Sequence, residues 1–172
     1  VNQKGLFSGT TATTFSPNLA TTRAMLVTVL YRLDGQPAVM GSSKFSDVSA
    51  GQYYTNAVIW ATENGIVSGY GNGIFDPDAL LSREQMATIL YNYAKYKQYD
   101  VSKVRGLDVF TDKDTVAPYA VRAMQWAYAN EIINGSSATT LSPKRTATRA
   151  QVAAILMRFD EKVKMPAGAA SK

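Results

Sequence analysis

One short motif occurs three times in this chain, each time in register with the apolar residues that follow it. Phe15-Ser16-Pro17 leads to Thr22-Arg23, Phe75-Asp76-Pro77 to Ser82-Arg83, and Leu141-Ser142-Pro143 to Thr148-Arg149. Behind the arginines come Leu26, Val29, Leu30 and Leu33; then Met86, Ile89, Leu90 and Tyr93; then Val152, Ile155, Leu156 and Phe159. Each set is spaced i, i+3, i+4, i+7, the stripe of an amphipathic helix. Thr22, Ser82 and Thr148 are good N-caps, and Gln85 and Gln151 complete capping boxes in the second and third copies. Every copy therefore ends in a helix with a defined start and one face to bury.

A second helix precedes this one in two copies. Residues 53–64 carry Ala57, Val58, Trp60 and Ala61, and residues 119–130 carry Ala123, Met124, Trp126 and Ala127, with Pro118 suited to a first turn. Phe45-Ser46-Asp47 and Phe110-Thr111-Asp112 introduce them, and Gly69 and Gly135 turn the loops after them, with Gly9 in the matching place of the first copy. The first copy begins at what corresponds to the end of its own first helix and has neither the Trp nor the Phe-x-Asp turn. A helix pair of this size cannot hide its apolar stripe alone, so the copies must share a core. The expected fold is all-α: a pseudo-threefold bundle of helix-loop-helix repeats. The units are 1–40 (the second half of repeat one), 41–100 and 101–163, together one compact domain. A small polar tail or linker, 164–172, follows.

Composition narrows function. Cysteine and histidine are both absent, which excludes thiolate or imidazole metal sites, cysteine nucleophiles and Ser-His-Asp triads. The carboxylates are scattered, with no pair set apart as a glycosidase needs. Asp112-Lys113-Asp114 lacks the acid and glycine that a calcium loop requires next, having Val116 and Ala117 there. No enzyme activity, cofactor or metal is expected. No apolar run approaches the roughly 20 residues of a membrane span. Val1 starts without the pattern of a signal peptide. The net charge of +5 favours acidic partners, yet Lys and Arg are dispersed and form no stripe for nucleic acid.

The quoted motifs resemble the S-layer homology family. Its repeats open with Phe-x-Asp, carry a Trp in the first helix, turn through Gly-Tyr-x-x-Gly-x-Phe-x-Pro and start the second helix at Thr-Arg-Ala-Glu. Repeat two reads Phe45-Ser46-Asp47, Trp60, Gly69-Tyr70-Gly71-Asn72-Gly73-Ile74-Phe75-Asp76-Pro77 and Ser82-Arg83-Glu84-Gln85. Repeat three keeps Phe110, Asp112, Trp126, Gly135, Leu141-Ser142-Pro143 and Thr148-Arg149-Ala150-Gln151. The family's final glutamate is Met25, Gln85 and Gln151 here, and the glycine-rich loop is intact only in repeat two.

The resemblance implies a three-pronged bundle on a secreted protein at the bacterial cell surface. It also implies a partner: a secondary cell-wall polysaccharide, often pyruvylated, held in grooves between adjacent repeats. Neither nucleic acid nor membrane insertion is implied, and an oligomer could form through the incomplete first repeat. The alternatives are a self-assembly module without glycan binding and, more remotely, non-specific nucleic-acid binding.

Candidate glycan-binding residues each carry a second reading. A cation in the first turn of a helix opposes the helix dipole, so Arg23, Arg83 and Arg149 should be compensated by a carboxylate. That carboxylate is either Asp47 or Asp112 across a loop, or an acid group of a ligand held bidentately. Trp60 and Trp126 pack a core or face a sugar. Gly69, Gly71 and Gly73 provide positive φ for a tight loop or let amides approach an anion, and Gly135 turns the corresponding loop of repeat three. Tyr70 bonds a sugar or covers its loop. Phe15, Phe75 and Leu141 plug the core.

Overall fold

The computed structural model describes residues 16–163; Gly9 and Phe15 lie outside them. Five α-helices form: α1 (Arg23–Leu33), α2 (Thr55–Glu63), α3 (Arg83–Tyr96), α4 (Val121–Ala129) and α5 (Arg149–Val163). Two 3-10 turns, Lys113–Thr115 and Pro118–Ala120, precede α4. The described residues contain no strand, only isolated bridges, so the all-α expectation holds.

The second helices start where their caps put them. The Thr22 hydroxyl accepts from the Met25 amide. Ser82 and Gln85 form a full capping box, and Thr148 and Gln151 exchange the same two bonds. The first helices begin about one half-turn later than their apolar pattern suggests. Neither Tyr54 nor Ala120 offers a side-chain cap, and Pro118 opens a tighter turn before α4. Thr55 ties the start of α2 instead: its hydroxyl accepts from the Gln52 amide and donates to the Ser49 carbonyl.

Each first helix packs on the second helix of the preceding repeat, α2 against α1 and α4 against α3. Their tryptophans seal these joints. Trp60 lies 5.5 Å from Tyr31 of α1 and 5.7 Å from Tyr96 of α3, ring centre to ring centre. Trp126 meets Tyr91 of α3 at 5.5 Å and Phe159 of α5 at 6.2 Å. The core thus runs continuously across all three repeats, through Leu26, Leu30, Met86, Leu90, Val152 and Phe159.

At the helix starts, the three chain segments are joined by backbone bonds that close on themselves. The Thr21 amide donates to the Ala147 carbonyl at 2.9 Å, Ala147 to Leu81 at 3.0 Å, and Leu81 back to Thr21 at 2.9 Å. All three residues are fully buried. A second cycle runs beside it: Arg23 to Ala79, Arg83 to Arg145, and Arg149 to Leu19. Buried backbone groups must find partners, and here each repeat supplies those of the next.

Candidate functional site

The three arginines follow directly from this junction. Because α1 and α3 start at the seam with the next repeat, the first side chain of each reaches into that repeat's loop. Arg23 Nε donates to the Phe75 carbonyl at 3.1 Å and Nη2 to the Ser68 carbonyl at 2.8 Å. Its guanidinium lies 4.6 Å from the ring centres of both Tyr70 and Phe75, a stacked cation geometry. Arg83 repeats the arrangement one unit on, donating from Nε to Leu141 at 3.2 Å and from Nη2 to the Asn134 carbonyl. Arg23, Arg83 and Arg149 are only 6%, 8% and 4% exposed.

The expected compensation by Asp47 or Asp112 is not what the structure holds. Neither aspartate pairs with an arginine. Asp47 instead accepts from the Phe75 and Asp76 amides at 2.9 and 2.6 Å, and Asp112 from Leu141 and Ser142 at 2.8 and 2.7 Å. These bonds hold residues 76 and 142 in the left-handed region, with φ of 56° and 54°. Desolvation pushes both carboxyls up. The amide bonds, helped by the nearby Arg23 or Arg83 charge, outweigh it and leave both below their ordinary value. The Phe-x-Asp turn is therefore a loop clamp, with arginine and aspartate serving opposite faces of one segment.

Two clefts open beside the arginines. The first, about 220 Å³, is lined by Arg23, the loop from Ile66 to Tyr70, the α3 face of Gln85, Thr88, Ile89 and Asn92, and Tyr119 from repeat three. Gln85 Nε2 donates to the Tyr70 hydroxyl at 3.0 Å, and Tyr70 is 55% exposed. The Tyr119 hydroxyl reaches Glu84 at 3.4 Å; Glu84, buried behind it, also accepts from the Ala117 amide and pairs with Lys144 at 2.5 Å. The second cleft, about 180 Å³, occupies the equivalent place one repeat on, lined by Arg83, Ile133, Asn134, Gly135 and, from α5, Gln151, Ala154, Ile155 and Arg158. No acidic side chain lines either cleft. Burial, followed by the positive charges of Arg145 and Arg158, lowers the Arg83 guanidinium from its ordinary value, against a smaller opposing effect of Asp112.

Other predicted residues fall apart from these clefts. Trp60 and Trp126 are 2% and 0% exposed. Their faces are spent on Tyr and Phe rings, so the sugar-facing reading is corrected to core packing. Gly71, at a φ of 101°, forms the loop tip outside the cleft lining. Gly69 and Gly135 do line clefts, but positive φ is not their reason. A Cβ on Gly69 would sit 2.5 Å from the Phe45 ring and against the Ile74 carbonyl, and one on Gly135 would sit 2.7 Å from the Phe110 ring. Close approach is what demands glycine there. Phe75 and Leu141 are fully buried, as core plugs should be. Sequence reasoning missed Tyr119, Asn92, Thr88 and Arg158. Tyr119 falls where Tyr53 does in repeat two, but nothing in the repeat pattern says that it reaches a neighbour's cleft.

Among the described residues, no three His, Cys, Asp or Glu side chains gather as a metal site, and no helix is long and apolar enough to cross a membrane.

Comparison with known proteins adds the family. The chain is 32% identical over 154 residues to an endoglucanase of Bacillus sp. (strain KSM-635), covering 90% of this chain and 16% of that protein. It is 31% identical to the surface-layer 125 kDa protein of Lysinibacillus sphaericus, covering 92% of this chain and 13% of that one. With the cellulosome-anchoring protein of Acetivibrio thermocellus the identity is 28%, over 86% of this chain and 34% of the relative. The chain thus spans between 13% and 34% of the length of these relatives. The S-layer homology domain profile matches residues 1–24, 44–87 and 109–153, the three copies of the repeat and well over half of the chain. With three copies in register and a profile match on each, this chain belongs to the S-layer homology family.

Proposed function

We propose that this chain is a non-enzymatic module that holds a bacterial surface protein to the cell wall by lodging acidic saccharides of a wall polysaccharide in the clefts beside Arg23 and Arg83, a pyruvylated one in the cleft beside Arg23. The observation that carries this reading is the first cleft. It combines a partly engaged guanidinium, two tyrosines and two side-chain amides, with no carboxylate on its walls. A guanidinium has five N–H donors, and the two carbonyl bonds of Arg23 use two of them. The others suit a ligand carboxylate, while Tyr70 and Tyr119 offer flat, amphipathic surface to a sugar ring.

A closed pseudo-threefold bundle of units 1–40, 41–100 and 101–163 is part of the same proposal. The cyclic bonds through Thr21, Leu81 and Ala147 support it, since each repeat relates to the next in the same way. The names of the surface-layer and cellulosome-anchoring relatives support a place at the cell surface. The enzyme names belong to relatives of which this chain matches only a small share, consistent with catalysis residing in other parts of such polypeptides.

The test is a pull-down with purified wall sacculi before and after mild acid removes the secondary polymer. Binding should vanish with the polymer and drop on Tyr70→Ala and Tyr119→Ala, whose exposed rings can go without unfolding the core. Binding that survives polymer removal sinks the reading, and equal binding to DNA points to generic electrostatics.

Self-association has its own supporting observation. α1 packs against α2 and α3 against α4, and Ala24 and Val27 of α1 and Glu84 and Ala87 of α3 are buried. At the equivalent places on α5, Ala150 is exposed, Ala153 half-buried and Met157 49% exposed. That face is where a first helix of the α2 or α4 kind docks, and a second copy can supply the contact.

A further inference from the structure

We infer that the repeat-three cleft selects a saccharide group carrying two negative charges, such as a phosphate monoester, with Arg158 as a second anchor opposite Arg83. This deepens the proposed function and rests on it. The two clefts occupy equivalent places, so their walls can be compared position by position. On the helix wall, Gln85 matches Gln151 and Ile89 matches Ile155, but Asn92 is replaced by Arg158. On the loop wall, Tyr70 has Ser136 in its place. The repeat-two cleft thus joins one guanidinium to aromatic surface, and the repeat-three cleft joins two guanidinium groups with no ring between them.

Arg158 is half-buried. Among the described residues no carboxylate is paired with it, whereas Lys97, Lys113, Lys144 and Lys162 all hold acids. Placing like charges around one concavity without internal compensation costs stability, and the positive charges of Arg145 and Arg158 both act against that of Arg83, Arg158 alone of the two from the cleft wall. A bound dianion removes that repulsion and takes a planar fork from each side. A single carboxylate, as on a pyruvyl ketal, satisfies only one fork. The cleft, of about 180 Å³ and open to solvent, can seat the anion between the two guanidinium groups with its sugar ring toward the mouth.

The experiment uses the full 172-residue chain and calorimetric titration with three probes: N-acetylglucosamine 6-phosphate, inorganic phosphate and a monoanionic pyruvylated glycoside. Arg158→Asn installs the residue of repeat two, Asn92→Arg does the reverse, and Arg145→Asn removes an equal charge outside the cleft lining. Arg158→Asn should weaken the sugar phosphate about tenfold, the scale of a lost charge-assisted pair. It should leave the pyruvylated glycoside within about twofold, and Arg145→Asn should cost the sugar phosphate no more than about twofold. Asn92→Arg should create a second sugar-phosphate site. Equal losses in the two arginine variants, or a sugar phosphate no tighter than inorganic phosphate, overturn the inference. If the pyruvylated glycoside binds but the sugar phosphate shows no dependence on Arg158, only this inference falls. If no saccharide binds, the cleft reading of the proposed function falls with it.

Discussion

Asp47 and Asp112 are exposed enough in sequence terms to pass for ligand contacts, yet each spends its carboxylate on two consecutive amides of its own repeat. Hydrogen bonds to a charged acceptor contribute about 1.5–3 kcal/mol each. Asp47→Asn keeps one acceptor and turns an N–H toward the other amide, so it should lower stability by about 2 kcal/mol, read from the urea midpoint. The pH dependence has a defined sign. Both folded carboxyls sit below their ordinary value, so their contribution is complete above the unfolded pKa of about 4. It is lost as pH falls through the lower folded values. The double variant with Asn at both positions should lose less stability than the parent across that acid range; parallel acid titrations of the two proteins would assign the loss elsewhere. Arg83 illustrates why these roles were not legible. Its helix-start position was plain from the motif, but its partners are carbonyls 51 and 58 residues away in the next repeat. A repeat pattern fixes equivalence between copies and says nothing about which atoms meet across a seam.

The second helix of each repeat could be read from its cap and its stripe, and the three starts at Arg23, Arg83 and Arg149 fall where those signals put them. The first helices were legible in kind but not in extent, because without a capping side chain an apolar pattern does not mark a start. Their packing was not legible at all. A helix stripe declares that it is buried, not against what, and α2 lies on α1 of the previous repeat, reaching α3 of its own repeat through the Trp60 ring. This arrangement leaves the α5 face at Ala150, Ala153 and Met157 open. The chain should accordingly show a concentration-dependent mass in sedimentation, and Met157→Glu, which charges that face without touching a cleft, should return it to a monomer. A parent protein that stays monomeric at high concentration would remove the support for association through α5.

For the molecule as a whole, the decisive feature is that the three repeats are joined in a cycle. In a linear array each unit leans only on its sequence neighbours, and stability sums along the chain. Here repeat three bonds to repeat one as repeat one does to repeat two, with Thr21, Leu81 and Ala147 fully buried at the junction. Chemical denaturation should therefore give a single transition, coincident by tryptophan fluorescence and far-ultraviolet circular dichroism, as two-state unfolding requires.

The same junction bears on what happens when the module is pulled. Tension entering at one repeat reaches the other two through short amide–carbonyl links, so the repeats are expected to give way together and not one by one. In a stretching experiment the extension trace should jump once, with a single long release of chain, where a row of independent beads would give a sawtooth. In the proposed anchoring role, a module built this way holds fully until it lets go.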